Sequence, residues 1–179
     1  MQEVILVTEE DEEIGTMEKM EAHRRGVLHR AFSIFVFDKN GRMLLQKRAA
    51  NKYHGALLWS NTCCSHPYPG EEVEKAAARR LEEEMGFTTG LEKIFTFSYN
   101  ETVENNLIEH ELDHVFVGEF EGEININQSE VDHCKYKLVS EIKTELESNP
   151  SDFTIWFKII FPRIEQWWQE NYGAVLMNK

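Results

Sequence analysis

The sequence lacks the usual means of stapling a small fold or of entering a bilayer. Its 179 residues hold three cysteines, Cys63, Cys64 and Cys134. An odd set with two adjacent members is no disulfide framework, and it fits a reducing compartment where a free thiol can serve chemistry. No apolar run approaches the roughly 18 to 20 residues of a bilayer span, and Met1-Gln2-Glu3-Val4 lacks the basic-then-apolar plan of a secretory signal. A cytoplasmic location is expected. Positive charge is scarce, with 19 Lys and Arg against 32 Asp and Glu and a net charge of -13. That balance argues against phosphate-backbone or anionic-membrane binding, so neither nucleic acid nor membrane is expected as a partner. The chain has no internal repeat, low-complexity tract or dividing linker. It is therefore read as one domain, 1–179, long enough to bury a two- or three-layer core.

Short β-branched and aromatic runs predict strands at Val4–Thr8, Arg30–Phe37 and Met43–Arg48. The turn Asp38-Lys39-Asn40-Gly41 between the last two predicts that they pair as a hairpin. The acidic run Glu9–Glu13 reads as a solvated turn, and Gly15–His23 carries mixed signals that assign no element. Ala49–Gly70 is rich in His, Cys, Pro, Gly, Asn and Trp without a period, the composition of a functional loop. Glu71–Met85 is helical, with Val73, Ala77, Leu81 and Met85 on one stripe and Gly86 as its stop. Beyond it, strands are expected at Ile94–Tyr99, Leu107–Phe120 and Lys135–Val139. A short helix is expected over Ser140–Glu147, capped by Ser140, and an aromatic amphipathic segment over Asp152–Tyr172 that Pro162 kinks or divides. This order predicts an α/β fold of the α+β kind, a mixed sheet with helices on both faces.

His110-Glu111-Leu112-Asp113-His114 matches the HExxH pattern of zinc proteases, which needs a helix so that both histidines reach one metal. Its flanks, Asn105-Asn106 and Val115-Phe116-Val117-Gly118, favour a strand. On a strand Glu109 and Glu111 share a face while His110, Leu112 and His114 point away, so the protease pattern dissolves. The two carboxylates are then available to a metal or a proton transfer, although a Glu-x-Glu pair taken alone reads first as a solvated sheet edge. With His23, His29 and His66 they form a nitrogen and oxygen donor set suited to an octahedral or distorted Mn, Mg or Zn site.

Glu71, Arg79, Leu81, Glu83, Glu84 and Gly86 sit at the offsets of the Nudix box, G-x5-E-x7-R-E-U-x-E-E-x-G-U with U apolar. Ser65 replaces the first Gly and Arg80 replaces a metal-binding Glu. A cation in place of that ligand weakens the case for hydrolysis and adds a diphosphate binder. The bland alternative is an exposed acidic helix with i to i+4 pairs such as Arg80 with Glu84.

Together, Glu18-Lys19 with His23, the loop Asn61-Thr62-Cys63-Cys64-Ser65-His66-Pro67, the altered Nudix helix and Glu109-His110-Glu111 resemble the type 1 isopentenyl-diphosphate delta-isomerase family of the Nudix superfamily. The likeness spans most of the chain. It implies a Nudix-like α/β/α sandwich whose central helix follows the cysteine-containing loop, a single isomerase domain, and interconversion of isopentenyl and dimethylallyl diphosphate in isoprenoid biosynthesis. A Nudix pyrophosphohydrolase acting on a small diphosphate is the alternative. The resemblance makes Cys64, Glu111 and Tyr99 catalytic, and His23, His29, His66, Glu109 and Glu111 ligands of one tightly bound divalent metal, Mn, Zn or Mg. Glu84 would hold a Mg that accompanies the diphosphate. Lys19, Arg48, Lys52 and Arg80 would contact that diphosphate, and Trp156 would face the hydrocarbon. Cys63 is read as a packing residue. The expected partner is the small-molecule substrate, bound by a monomer.

Moving an unactivated double bond needs an acid on one side and a base on the other. Glu111 with Tyr99 is assigned as donor and Cys64 as acceptor in the forward direction, with roles exchanged in reverse. A tertiary carbocation would need aromatic walls, for which Trp156 and Trp59 are candidates.

Overall fold

A computed structural model of the chain describes residues 2–176. The elements are β1 (Glu3–Val7), β2 (Glu13–Glu18), α1 (Lys19–Arg25), β3 (His29–Phe37), β4 (Met43–Arg48), β5 (Trp59–Ser60) and β6 (Cys63–Ser65). They continue with α2 (Val73–Met85), β7 (Leu91–Thr102), β8 (Ile108–Glu119), β9 (Val131–Lys137), α3 (Val139–Ser148) and α4 (Ile155–Leu176). The strands form one mixed nine-stranded sheet. No helix among the described residues is long and apolar enough to cross a membrane.

Alternation along β3 explains the two-sided core. Phe35 and Phe37, with Met43 and Leu45 of β4 and Val115 and Val117 of β8, pack against Phe157, Ile160, Phe161 and Ile164 of α4 and Ile142 of α3. Phe32, Ile34 and Val36, with Leu44 and Phe116, face Ala77, Leu81 and Met85 of α2. Both sheet faces are thus covered, as the expected α/β/α layering requires. Cys63 is buried on the α2 side, as a packing residue should be.

The expected hairpin between β3 and β4 pairs only at Phe37 and Met43. Beyond the turn the strands part, because β3 runs parallel to β8 from His29 to Phe37 while β4 pairs antiparallel with β9. The segment read as a loop bridges the gap: β5 pairs with β4, and β6 then pairs with β3. Cys64 therefore stands on a strand, opposite Ser33. Strands of two and three residues have no period to read.

Gly15–His23, left without an element, ends β2 and supplies most of α1, whose face is fixed by the burial of Ala22 and His23. Gly26 closes α1 at φ 61°, a left-handed turn that suits glycine. The helix of the Nudix box starts at Val73, and Gly86 ends it at φ 74°. Its foot, Glu71, instead clasps Arg79 through two 2.8 Å bonds. α3 begins before Ser140, with Glu141 Oε2 accepting the Leu138 N–H at 3.2 Å, so Ser140 is not its cap. β9 starts at Val131 rather than Lys135 and ends at Lys137. Pro162 does not divide α4, because Ile160, Phe161 and Ile164 around it are all buried in the core.

Candidate active site and metal centre

Sheet register assembles the centre. His29 of β3 lies beside Glu111 of β8, which lies beside Tyr99 of β7, and cross-strand neighbours share a face. Two residues along, Glu109 joins that face, and Asp113 follows on the other side of Glu111. The HExxH histidines turn away: His110 Nδ1 is 2.9 Å from the Gly26 carbonyl, and His114 Nε2 is 3.1 Å from Asp11 Oδ2. The strand reading of that pattern therefore holds.

His23 reaches the row from the end of α1. Its Nδ1 lies 2.8 Å from the Lys19 carbonyl, and His29 Nδ1 lies 2.8 Å from the Val27 carbonyl. Carbonyls only accept, so both rings carry their proton on Nδ1 and aim an Nε2 lone pair inward. Both Nε2 atoms are buried with no hydrogen-bond partner among the described residues. His29 Nε2 stands 3.5 Å from Glu111 Oε1, and His66 Nε2 stands 2.9 Å from the same oxygen. Donor atoms of His23, His29, His66 and Glu111 lie within 4.8 Å of one another. Glu109 belongs to an adjoining group with His23 and His54. Inward lone pairs beside a carboxylate are what a divalent ion needs, so these residues fit one.

Burial pushes His23 down and His66 down to about 3. Burial works against the Glu111 carboxylate, but His66 and His29 hold it well below the usual range. Neutral imidazoles and an anionic carboxylate are the ligating forms. Tyr99 Oη donates within reach of Glu111 Oε2 at 2.6 Å and Glu109 Oε2 at 2.9 Å. Burial, then those carboxylates, keep its phenol protonated.

One cavity unites most of the expected residues: Lys19, Arg48, Lys52, Cys64, His66, Arg80, Glu84, Tyr99, Glu109, Glu111 and Trp156 all line it. His23 and His29 lie behind its wall with no exposed surface. Arg48 Nη1 is 3.9 Å from Cys64 Sγ, and its guanidinium lies 5.0 Å from the Trp156 ring centre. Burial pushes the Cys64 thiol up to about 12, with Arg48 pulling the other way. The resting pair is thus a thiol and a carboxylate, one group able to give a proton and one able to take it. Under the assignment made from the sequence, that is the starting state of the reverse direction.

At the mouth, Arg80 pairs with Glu84, with Glu83 at 2.8 Å and with Glu130 at 3.5 Å, and Lys52 pairs with Glu130. The i to i+4 pair of the bland helix reading therefore exists, yet Arg80 and Glu84 also face the cavity. Gln46 Nε2 donates to Glu84 Oε2 at 3.1 Å. Trp59 does not line the cavity: Lys135 covers its ring at 4.0 Å and His133 meets its edge, so it is no candidate wall.

The sequence reading missed Ser33, Tyr53, His54 and Ser65 in this lining. It also missed Asp113, which accepts the Ser33 hydroxyl at 2.7 Å. Period-two alternation from Glu109 and Glu111 would have found Asp113. Tyr53 and His54 lie in an aperiodic segment with no motif spacing.

The NUDIX domain family matches residues 27–157. An isopentenyl-diphosphate Delta-isomerase of Pectobacterium atrosepticum is 48% identical over 93% of this chain and 93% of its own. The isopentenyl-diphosphate Delta-isomerase 2 of Photorhabdus laumondii is 49% identical over 92% and 96%. Among solved structures, a Deinococcus radiodurans protein aligns with TM-score 0.77 over 90% of this chain and 98% of its own. At 15% identity that likeness speaks to the fold alone.

Proposed function

The chain belongs to the isopentenyl-diphosphate Delta-isomerase family within the NUDIX domain proteins, and on that premise we propose that it interconverts isopentenyl and dimethylallyl diphosphate by protonation and deprotonation. The observation that carries the reading is the pairing of two proton-handling groups in one cavity, the Cys64 thiol and the Glu111 carboxylate with Tyr99 Oη 2.6 Å away. Forward, the Glu111–Tyr99 side gives a proton to the terminal methylene, the positive charge rests on the tertiary carbon, and Cys64 takes a proton from the neighbouring carbon. This leaves a thiol and a carboxylate, the resting pair that burial and the histidines favour. Reverse turnover starts there, and forward turnover requires a proton to return to the carboxyl side through solvent.

The buried His and Glu group would hold one divalent ion, Mn, Zn or Mg, through His23, His29, His66, Glu109 and Glu111. Such an ion supplies Lewis acidity and neutralises the paired carboxylates. Lys19, Arg48, Lys52 and Arg80 would contact the diphosphate, and Glu84 would hold a Mg that accompanies it. Four cations at one mouth concentrate positive potential despite the net charge of -13. Trp156, 4% exposed, walls the hydrocarbon and excludes water. A desolvated cation over such a ring gains about 2 kcal/mol, so positioning supplies most of the rate. His23 precedes the matched NUDIX region and α4 extends beyond it, which supports 1–179 working as one domain. We take it to act as a cytoplasmic monomer.

The test is a proton and phosphorus NMR time course with isopentenyl diphosphate and Mg in deuterated water. Dimethylallyl diphosphate carrying deuterium in a methyl group, without phosphate release, is the expected result, and Cys64→Ala abolishes it while leaving the fold intact. Release of phosphate would move the protein to the hydrolases, and an active alanine variant would remove the thiol from the mechanism.

A further inference from the structure

His54, in the segment between β4 and β5, is 5% exposed and touches three residues of the site. Its Nε2 lies 2.8 Å from Glu109 Oε1. Its carbonyl accepts from Arg48 Nη2 at 3.2 Å, and its ring meets Trp156 edge to face at 5.6 Å. Its Nδ1 is buried with no partner among the described residues. The compact donor group of His23, His29, His66 and Glu111 does not include it, whereas the adjoining group of His23, His54 and Glu109 does.

We propose that His54 is a positioning residue of the metal centre, holding the Glu109 carboxylate in the orientation from which it joins the other four ligands. The inference rests on the reading of the His and Glu group as a divalent metal site. Beside Glu109 stand Tyr99 Oη at 2.9 Å from Oε2, His54 Nε2 at 2.8 Å from Oε1 and, farther off, His23 Nε2 at 3.9 Å from Oε1. Tyr99 has one hydroxyl proton and lies nearer Glu111, so His54 is the closest group fixing Glu109, and a carboxylate fixed in advance loses little rotamer freedom when a metal binds. Without His54 one oxygen is loose and the carboxylate must be ordered by the ion itself. Outer partners of this kind change metal affinity by about 10- to 100-fold.

The experiment titrates Mn into the chelated full-length protein and follows free Mn by its EPR signal. Wild type is compared with His54→Phe, which keeps a ring against Trp156 but has no donor, and with His54→Gln, whose amide can still donate to Glu109. Circular dichroism of the metal-free forms reports the fold. Phe is expected to weaken Mn binding 10- to 100-fold, Gln to recover most of the loss, and Phe to have no added effect in a Glu109→Gln background. Equal affinity in the Phe variant overturns the inference, as does a loss that persists undiminished in the Glu109→Gln background. Should the Phe variant not fold, Gln compared with His54→Leu carries the same contrast. Wild type that binds no Mn, Zn or Mg would defeat the metal reading itself, a result distinct from failure of His54's role.

Discussion

Raising the pH around Cys64 in the presence of a small neutral disulfide probes how the cavity stores its proton. Burial pushes the thiol up to about 12, with Arg48 opposing and Glu84, Glu109 and Glu111 adding to the rise. A thiol of pKa about 12 is ionised to about one part in 10⁵ at pH 7, against about 3% for an ordinary cysteine near 8.5. The deficit is about three thousandfold. A more basic thiolate attacks faster, and a Brønsted slope of about 0.4–0.5 over about 3.5 pKa units returns roughly 25- to 55-fold. Cys64 should therefore react about a hundredfold more slowly than free cysteine at pH 7, before any steric hindrance. The assay uses chelated protein, hydroxyethyl disulfide, an acid quench and peptide mass spectrometry, with the half-buried Cys134 as internal control. The rate at Cys64 should climb about tenfold per pH unit from 7 to 10 without levelling off. A plateau below pH 9, or a rate matching Cys134 at pH 7, would show that burial does not govern this thiol.

Three further outcomes follow from the same geometry. Arg80→Gln should weaken pyrophosphate binding by about tenfold, and Glu130→Gln should tighten it, because Glu130 occupies both Lys52 and Arg80 in the free protein; titration calorimetry that shows no change in either would remove these cations from the diphosphate site. The chelated protein should lose thermal stability as pH falls below 6.5, because unfolded His66 takes a proton there while the buried side chain does so only at about 3. The unfolded state then binds more protons and is favoured, so an unfolding temperature flat between pH 6.5 and 5 would contradict it. Gly26→Ala should cost about 1–3 kcal/mol, since the position is left-handed and its new methyl would lie 3.0 Å from Ile108; calorimetry showing an unshifted transition would refute it.

Much of the site could be read locally. The helix over Val73–Met85 declares itself by its apolar stripe and its glycine stop, and the shared face of Glu109 and Glu111 follows from period two alone. Helix α1 could not be read, since its seven residues are held by burial of Ala22 and His23 rather than by propensity. Neither could β5 and β6, which exist because β3 and β4 diverge and leave edges to be paired. Pro162 shows the reverse error, where a strong local signal yields to burial on both sides of it. His54 had neither period nor motif, and only the approach of its segment to β8 gives it a role.

The sequence by itself determined the chemistry in stock: a thiol, a phenol, carboxylates two apart on a strand, histidines and a few cations. Residue types and short-range periodicity are local properties, so they survive without coordinates. Only the tertiary structure decided which of these meet. Parallel pairing of β3 with β8 sets His29 beside Glu111, antiparallel β7 adds Tyr99, and β6 brings Cys64 to Ser33 on the next strand. Positions 29 and 111, the farthest-separated of those neighbours, are brought together only by the parallel pairing of β3 with β8. Their registry is chosen by the burial of two sheet faces at once, a constraint that no single stretch of sequence contains.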